Sequence, residues 1–224
     1  MRRALPVLSV LLALAAPARA DTTPAPLSAG VDLKLLDRDD AAAEAAIGAG
    51  DVEAALKYFD YFGHEQEDFC RATLEYRLAR RKLEDAIRTS LGNRAWGRTA
   101  RALGIPRHGR GGGDADRSVR REAGVVYVKN PGAGNEVPYV YEDSRWKVSA
   151  RDVLVVALRA RFGPSVKFEE ADLYVLAGKT ARVVRARAGR LSALAEDVRS
   201  KRVVTADQLD AAVWQARSPA VATE

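Results

Sequence analysis

Apolar residues recur at intervals of three and four along much of this chain, a spacing typical of helices that bury one face. The pattern is clearest over His64–Leu91, where acids stand at the start and bases further along, as the helix dipole favours. Gly92 is a natural helix stop. The next apolar pattern, Arg94–Leu103, predicts a shorter helix that ends before Pro106.

Two further helices are predicted nearer the N-terminus. Asp39 and Asp40 precede an alanine-rich segment through Ile47, and acids in a first turn favour a helix that begins there. The break Gly48–Asp51 ends that helix and caps the next one, which runs to Tyr61.

The longest C-terminal helix is predicted over residues 169–200. Its apolar residues alternate by steps of four and three, which is heptad spacing, and many of them are small. A partner helix could therefore approach closely. The stripe consists of Ala177, Ala181, Val184, Ala188, Leu191, Ala195 and Val198.

Capping residues predict two more helices on either side of the long one. Ser149 and Asp152 resemble the start of a helix that ends at Phe162. Thr205 and Gln208 form a capping box that opens a last helix through Trp214.

The spacing changes between residues 125 and 148, where three runs are rich in β-branched and aromatic residues. The runs are Val125–Val128, Val137–Tyr141 and Arg145–Val148, and they predict a three-stranded antiparallel meander. Pro138, near the start of the second run, suggests an edge position. The fold class is therefore expected to be α+β, with helices packed on a small antiparallel sheet and a C-terminal helical extension.

Composition divides the chain into five parts. Residues 1–20 form a leader, 21–37 a flexible tether, 38–150 an α+β domain, 151–217 a helical extension and 218–224 a disordered tail. An apolar fraction of 47% suits a chain that buries a core.

The order of elements from residue 38 to residue 148 is that of a known superfamily. An alanine-rich helix, the Gly-Asp break Gly48–Leu56, a longer helix and the late strands Pro138–Val148 follow one another. This region resembles the NTF2-like superfamily, whose closing strand often reads Asp-Gly-x-Trp-x-Val; here Ser144 replaces the glycine. The resemblance implies a curved sheet wrapped by helices around a cone-shaped cavity. It implies no single activity, because the superfamily hosts isomerases, dehydratases and non-catalytic modules.

The first twenty residues predict export. Arg2 and Arg3 precede an apolar run of about a dozen residues, and Ala18–Ala20 is a small-x-small cleavage site. We therefore expect a mature protein in the periplasm or outside the cell, cleaved near Ala20 and without a transmembrane segment. The leader holds three arginines and no acids, so its removal lowers the formal net charge from +6 to +3.

The densest charge cluster spans Arg94–Arg121 and predicts an anion-binding surface. Its bases outnumber Asp114 and Asp116 by eight to two. An acidic stretch, Asp51–Asp68, could pair with it. The candidate anion-binding residues are Arg94, Arg98, Arg101, Arg107, Arg110, Arg117, Arg120 and Arg121. Only Trp96 lies among them as a stacking partner, so no specific nucleic-acid binding is expected.

Catalytic patterns are weak throughout. His64 and Glu65 begin a zinc-protease motif, but Asp68 stands where the second histidine belongs, and no metal or cofactor is predicted. His108 lies in the basic loop. The lone Cys70 is expected to be a buried thiol, with an intermolecular disulfide as the alternative.

An acid inside an NTF2-like cone could act as a proton base beside a tyrosine. Asp60 is the nearest candidate acid, with Tyr58, Tyr61 and Tyr76 around it in sequence. The function expected first is an exported non-catalytic module that binds a protein partner or a small ligand. The alternatives are an NTF2-like isomerase or hydratase that uses such an acid, and an arginine-patch binder of an anionic cell-envelope polymer.

Overall fold

The computed structural model describes residues 33–104, 118–129, 136–163 and 167–217, which hold six helices and five strands. The helices are α1 (Leu33–Ala49), α2 (Val52–Leu56), α3 (His64–Ala102), α4 (Ala150–Phe162), α5 (Glu170–Arg199) and α6 (Ala206–Arg217). The strands are β1 (Phe59–Asp60), β2 (Ser118–Glu122), β3 (Val125–Lys129), β4 (Val137–Glu142) and β5 (Arg145–Ser149). The α+β class is confirmed. The predicted leader, the tether up to residue 32 and the tail at 218–224 lie outside the described residues.

The helices α3 and α5 pack side by side and run in the same direction. Near the start of both, Tyr174 lies so close to Gly63 that a Cβ atom there would come within 2.8 Å of the tyrosine ring. Further along both, the Arg185 guanidinium donates to the carboxylate of Glu75 at 3.1 Å. None of the helices in the described ranges combines the length and apolar character that a bilayer crossing needs.

The predicted helix over residues 169–200 is confirmed as α5, and its heptad stripe is the buried face. All seven members are at most 7% exposed, and Ala177 and Ala181 are fully buried. The N-terminal half of α5 shares a core cluster with α2, α4 and the first turns of α3, while its C-terminal half shares another with α6 and the end of α3. The region predicted as an extension therefore contributes to the main core.

Gly92 interrupts α3, as the sequence predicted. Its φ of 85° and ψ of 170° lie outside the helical region, so the helix axis changes direction there. The segment beyond the break buries Trp96, Ala100 and Leu103 against α5 and α6.

The sheet is mixed rather than antiparallel, which corrects the prediction. Its order is β1-β5-β4-β3-β2, and all neighbours are antiparallel except β1, which pairs in parallel with β5. The meander β3–β5 matches the predicted runs. Strand β2 was not predicted, because Val119 is its one buried apolar residue and the sequence shows no strand-like alternation there. The strand is held by backbone hydrogen bonds to β3, which the side-chain pattern does not reveal. The structure does not confirm the NTF2-like cone.

The expectation that Pro138 marks an edge strand was wrong. Strand β4 lies between β3 and β5, and Pro138 faces Tyr127 of β3. The ladder with β5 begins only at Tyr139, so the proline stands beyond its end and removes no hydrogen bond to β5.

Helix α1 fastens to the sheet through two carboxylates. Asp39 is 5% exposed and accepts the backbone N–H of Trp146 at 2.8 Å. Asp40 accepts the Tyr139 hydroxyl at 2.8 Å. The amide of Val148 on the same edge of β5 donates to the Tyr58 carbonyl, so Asp39 supplies the acceptor that β1 is too short to provide.

These contacts correct the prediction for the start of the first helix. The helix α1 begins at Leu33, so residues 33–37 are helical rather than part of a tether. Leu36 is buried against the sheet, and this contact stabilises an additional helical turn on the N-terminal side of Asp39 and Asp40. Asp39 and Asp40 therefore stand in its middle and are explained by tertiary contacts instead of the helix dipole.

Replacing Asp39 by alanine should lower the free energy of unfolding by about 1–3 kcal/mol, because it leaves the buried Trp146 amide without an acceptor. Urea denaturation measures the loss. Asp39→Asn keeps an oxygen acceptor and should retain most of the stability. Equal losses in the two variants would show that the charge, rather than the hydrogen bond, matters.

Candidate functional site

The described arginines of the predicted cluster lie in two separate groups. Three arginines stand on α3 after the break at Gly92, in the segment that packs with α5 and α6. Two stand on β2, whose buried residue packs with the sheet and α1. The first group is Arg94, Arg98 and Arg101, and the second is Arg120 and Arg121. The other three candidates, Arg107, Arg110 and Arg117, lie outside the described residues.

In the β2 group, Arg120 is bound by neighbouring side chains. The Arg120 guanidinium binds Glu122 at 2.6 Å and Glu136 at 2.8 Å, and it stacks 3.7 Å from the centre of the Tyr127 ring. Two carboxylates already balance its charge, so Arg120 is a weak candidate for binding an external anion.

Two of the three α3 arginines line a groove against α6, which we call the Arg–Trp groove, whereas Arg94 is not among the lining residues described for it. Arg98 and Arg101 line it from α3, and Asp210 and Trp214 line it from α6. Ala102 and Val213 complete the lining, and the groove has a volume of about 290 Å³.

The α6 wall of the Arg–Trp groove is anchored at both ends. Thr205 caps the start of helix α6. Its hydroxyl accepts the Gln208 amide at 3.3 Å, and the Gln208 side chain accepts the Thr205 amide at 3.2 Å, which confirms the predicted capping box. Leu209 and Val213 are buried in the shared core. Near the end of α6, the carbonyl of Ala216 accepts a hydrogen bond from Arg190 at 3.1 Å.

Trp214 and Asp210 share one face of α6 because they are four residues apart. Trp214 is 69% exposed, whereas Trp96 and Trp146 are each 7% exposed. The Asp210 carboxylate lies 4.0 Å from the Arg98 guanidinium, a loose ion pair rather than a hydrogen bond. The groove therefore places two cations, one acid and a largely exposed tryptophan side by side.

Sequence reasoning found the two arginines of this groove but missed Asp210 and Trp214. The apolar spacing of the last helix could have identified Trp214. The buried positions of the last helix are Leu209, Val213 and Ala216, spaced by four and three, and this stripe leaves Trp214 on the outer face. A tryptophan placed off the buried stripe points to contact with something other than the core.

In the described part of the chain, acids of the stretch Asp51–Asp68 pair with arginines other than the predicted cluster. Arg71 binds Glu53 and Glu67, and Arg185 binds Asp68 and Glu75. The hydrogen bond from Arg185 lowers the pKa of Asp68 below its usual value. These carboxylates therefore serve the packing of α2, α3 and α5.

Asp60 lies in a different, open pocket of about 400 Å³ on the sheet face opposite α1. Tyr61, Glu142 and Lys147 line it as well. Burial raises the pKa of Asp60, and the negative charge of Glu142 adds to the shift while Lys147 opposes it. Of the three tyrosines predicted near Asp60, Tyr61 alone is among the lining residues described for this pocket.

Cys70 is the one cysteine of the sequence, and its role is structural. Cys70 is fully buried, and burial raises the pKa of its thiol, so it stays neutral and inert near neutral pH. This confirms the buried-thiol prediction. His64 is the exposed first residue of α3, and His108 lies outside the described residues. In the part of the chain that the structure describes, no three His, Cys, Asp or Glu side chains are grouped to hold a metal.

Comparisons with protein-family models, with curated proteins and with solved structures gave no match for this chain. The NTF2-like resemblance therefore stays a prediction, and the case for function rests on the side chains themselves.

Asp60→Asn should stabilise the fold at neutral pH. Because the folded protein raises the carboxyl pKa, the wild type loses stability as pH rises from the ordinary value of 3.8 through the raised one. The asparagine variant escapes that loss, so its advantage should shrink as pH falls from about 7 toward 4 in urea denaturation. Asp207→Asn, at an exposed position of α6, is the control. An advantage independent of pH would refute the desolvation argument.

Proposed function

We propose that this chain is an exported, non-catalytic binding module whose Arg–Trp groove takes an anionic ligand. The observation that carries the proposal is the placement of Arg98 and Arg101 opposite the exposed Trp214. A guanidinium pair supplies hydrogen-bond donors to an anion, and an exposed indole supplies apolar contact area. This unites the predicted module with the predicted arginine surface.

The lining of the groove supports binding rather than reaction. Arginine side chains remain protonated at all ordinary pH values, so they bind anions but do not move protons. Ala102 and Val213 offer no reactive group, and the Asp210 carboxylate is adjacent to the Arg98 cation. A groove of this composition holds a charge and orients a ligand.

The rival function is an isomerase or hydratase that uses Asp60 as a proton base within an NTF2-like cone. The raised pKa of Asp60, with Tyr61 in the same pocket, favours this alternative. The pocket is open and is lined by the charged residues Glu142 and Lys147, whereas proton abstraction by a carboxylate is promoted by an enclosed apolar site. We therefore rank binding above catalysis.

Export is the part of the proposal that depends on residues 1–20. Expressed in a bacterium with a secretion pathway, the chain should accumulate outside the cytoplasm with Asp21 as its first residue. N-terminal sequencing and intact mass measure this directly. Purified protein that retains Met1 and stays in the cytoplasm would overturn the export half of the proposal. The proposed binding at the groove would be unaffected by that result.

Binding at the groove predicts a salt-dependent interaction with polyanions. Immobilised tripolyphosphate and polygalacturonate serve as probes, and binding to at least one should weaken as salt rises from about 50 to 200 mM. The double variant R98Q/R101Q should lose at least about tenfold in affinity, because two charge-assisted contacts are removed. Arg202→Gln removes an exposed arginine outside the groove and should bind like the wild type. Equal loss in both variants, or no binding to either probe, would overturn the proposal.

A further inference from the structure

The composition of the Arg–Trp groove narrows the ligand beyond an anion of any kind. A site for phosphate alone needs donors and positive charge, which Arg98 and Arg101 supply. It needs neither an exposed indole nor a carboxylate, yet Trp214 and Asp210 line the same groove. The ligand must therefore combine a negative charge, a flat apolar face and a hydrogen-bond donor.

Trp214 identifies the apolar face. The residue lines the groove and is 69% exposed overall, although a buried position would gain hydrophobic free energy. The face of an indole ring carries partial negative charge, so it attracts the slightly positive C–H groups along one side of a pyranose ring as well as the face of another aromatic ring.

Asp210 decides between those two ligands. A carboxylate accepts hydrogen bonds and repels anions, so it favours the hydroxyl groups of a sugar and disfavours the phosphodiester chain that accompanies stacked nucleobases. About half of the Asp210 side chain is exposed (51%), so its carboxylate oxygens are within reach of a ligand at the groove.

The arginines identify the charge. Arg98 and Arg101 are three residues apart on α3 and so share a face, with Ala102 beside them in the groove lining. A guanidinium binds a carboxylate through two parallel hydrogen bonds, a geometry that a carboxylate projecting from a sugar ring can meet. The volume of about 290 Å³ lies at the lower end of small-ligand pockets and suits one ring at a time.

We propose that the Arg–Trp groove recognises an acidic saccharide, with a uronate carboxylate on Arg98 and Arg101, the sugar ring on Trp214 and a hydroxyl on Asp210. This inference rests on the proposed function, because it names the ligand class of the same groove. An exported protein would meet such chains at the cell envelope.

Three probes separate the acidic saccharide from other anions. They are a galacturonic acid hexasaccharide, its fully methyl-esterified form and tripolyphosphate, each titrated by calorimetry into the mature protein. The acid form should bind at least about tenfold more tightly than the ester, because esterification removes the charge but keeps the ring. Binding should also quench tryptophan emission, since Trp214 is exposed while Trp96 and Trp146 are buried.

Variants of the groove test each assignment. Trp214→Ala should weaken hexasaccharide binding by about tenfold. The matched control Phe62→Ala removes an aromatic ring that is 74% exposed outside the groove, and it should leave binding unchanged. Asp210→Asn should weaken binding of the hexasaccharide and strengthen binding of tripolyphosphate, and a purely structural role would not move the two affinities in opposite directions.

The outcomes distinguish failure of this inference from failure of the proposed function. If tripolyphosphate binds in an Arg98- and Arg101-dependent manner while the hexasaccharide binds no better than its ester, the saccharide assignment is overturned and the anion groove stands. Binding of the hexasaccharide that Trp214→Ala leaves intact also overturns it, as does tighter binding of a single-stranded thymidylate oligonucleotide. If neither tripolyphosphate nor the hexasaccharide binds, both proposals fail.

Discussion

The parallel contact between α3 and α5 is the constraint on which the rest of the structure depends. Two helices that touch and point the same way require the chain to return from the end of one to the start of the other. Strands β2–β5 and helix α4 lie on that return. Strand β1, just before α3, then pairs with β5, just before α4, which ties the sheet to the starting end of the helix pair. Small residues such as Ala177 and Ala181 allow the close approach.

The same arrangement separates the two pockets that could carry function. Asp60 belongs to β1, at the end where the sheet joins the helix pair. The Arg–Trp groove uses the last turns of α3, which pack with the C-terminal half of α5 and with α6. The Asp60 pocket is lined by α2 and by strands β1, β4 and β5, whereas the Arg–Trp groove lies between two packed helices. Helical walls hold side chains in fixed positions, which suits the groove for recognition.

How far the sequence predicted the structure depends on where the stabilising contacts come from. The long helices, the break at Gly92 and the buried stripe of α5 follow from local spacing, and each was predicted. Strand β2 was not, because Arg120 and Arg121 give it no apolar alternation and its pairing with β3 is a backbone property. The start of α1 was placed too late for a similar reason: Leu36 is stabilised by the sheet, far away in sequence.

The candidate site shows the same division. The sequence alone determined that arginines are concentrated after residue 93, that residues 1–20 have the pattern of a secretory leader and that a last helix begins at Thr205. Only the tertiary structure decided which arginines lie opposite another helix, because that depends on how α6 packs against α3. The fold places Asp210 and Trp214 beside Arg98 and Arg101, which are more than a hundred residues away in sequence. It places Arg120 in ion pairs with Glu122 and Glu136. Local patterns fix which face of a helix is buried, whereas the neighbour of its exposed face is a long-range property of the packed chain.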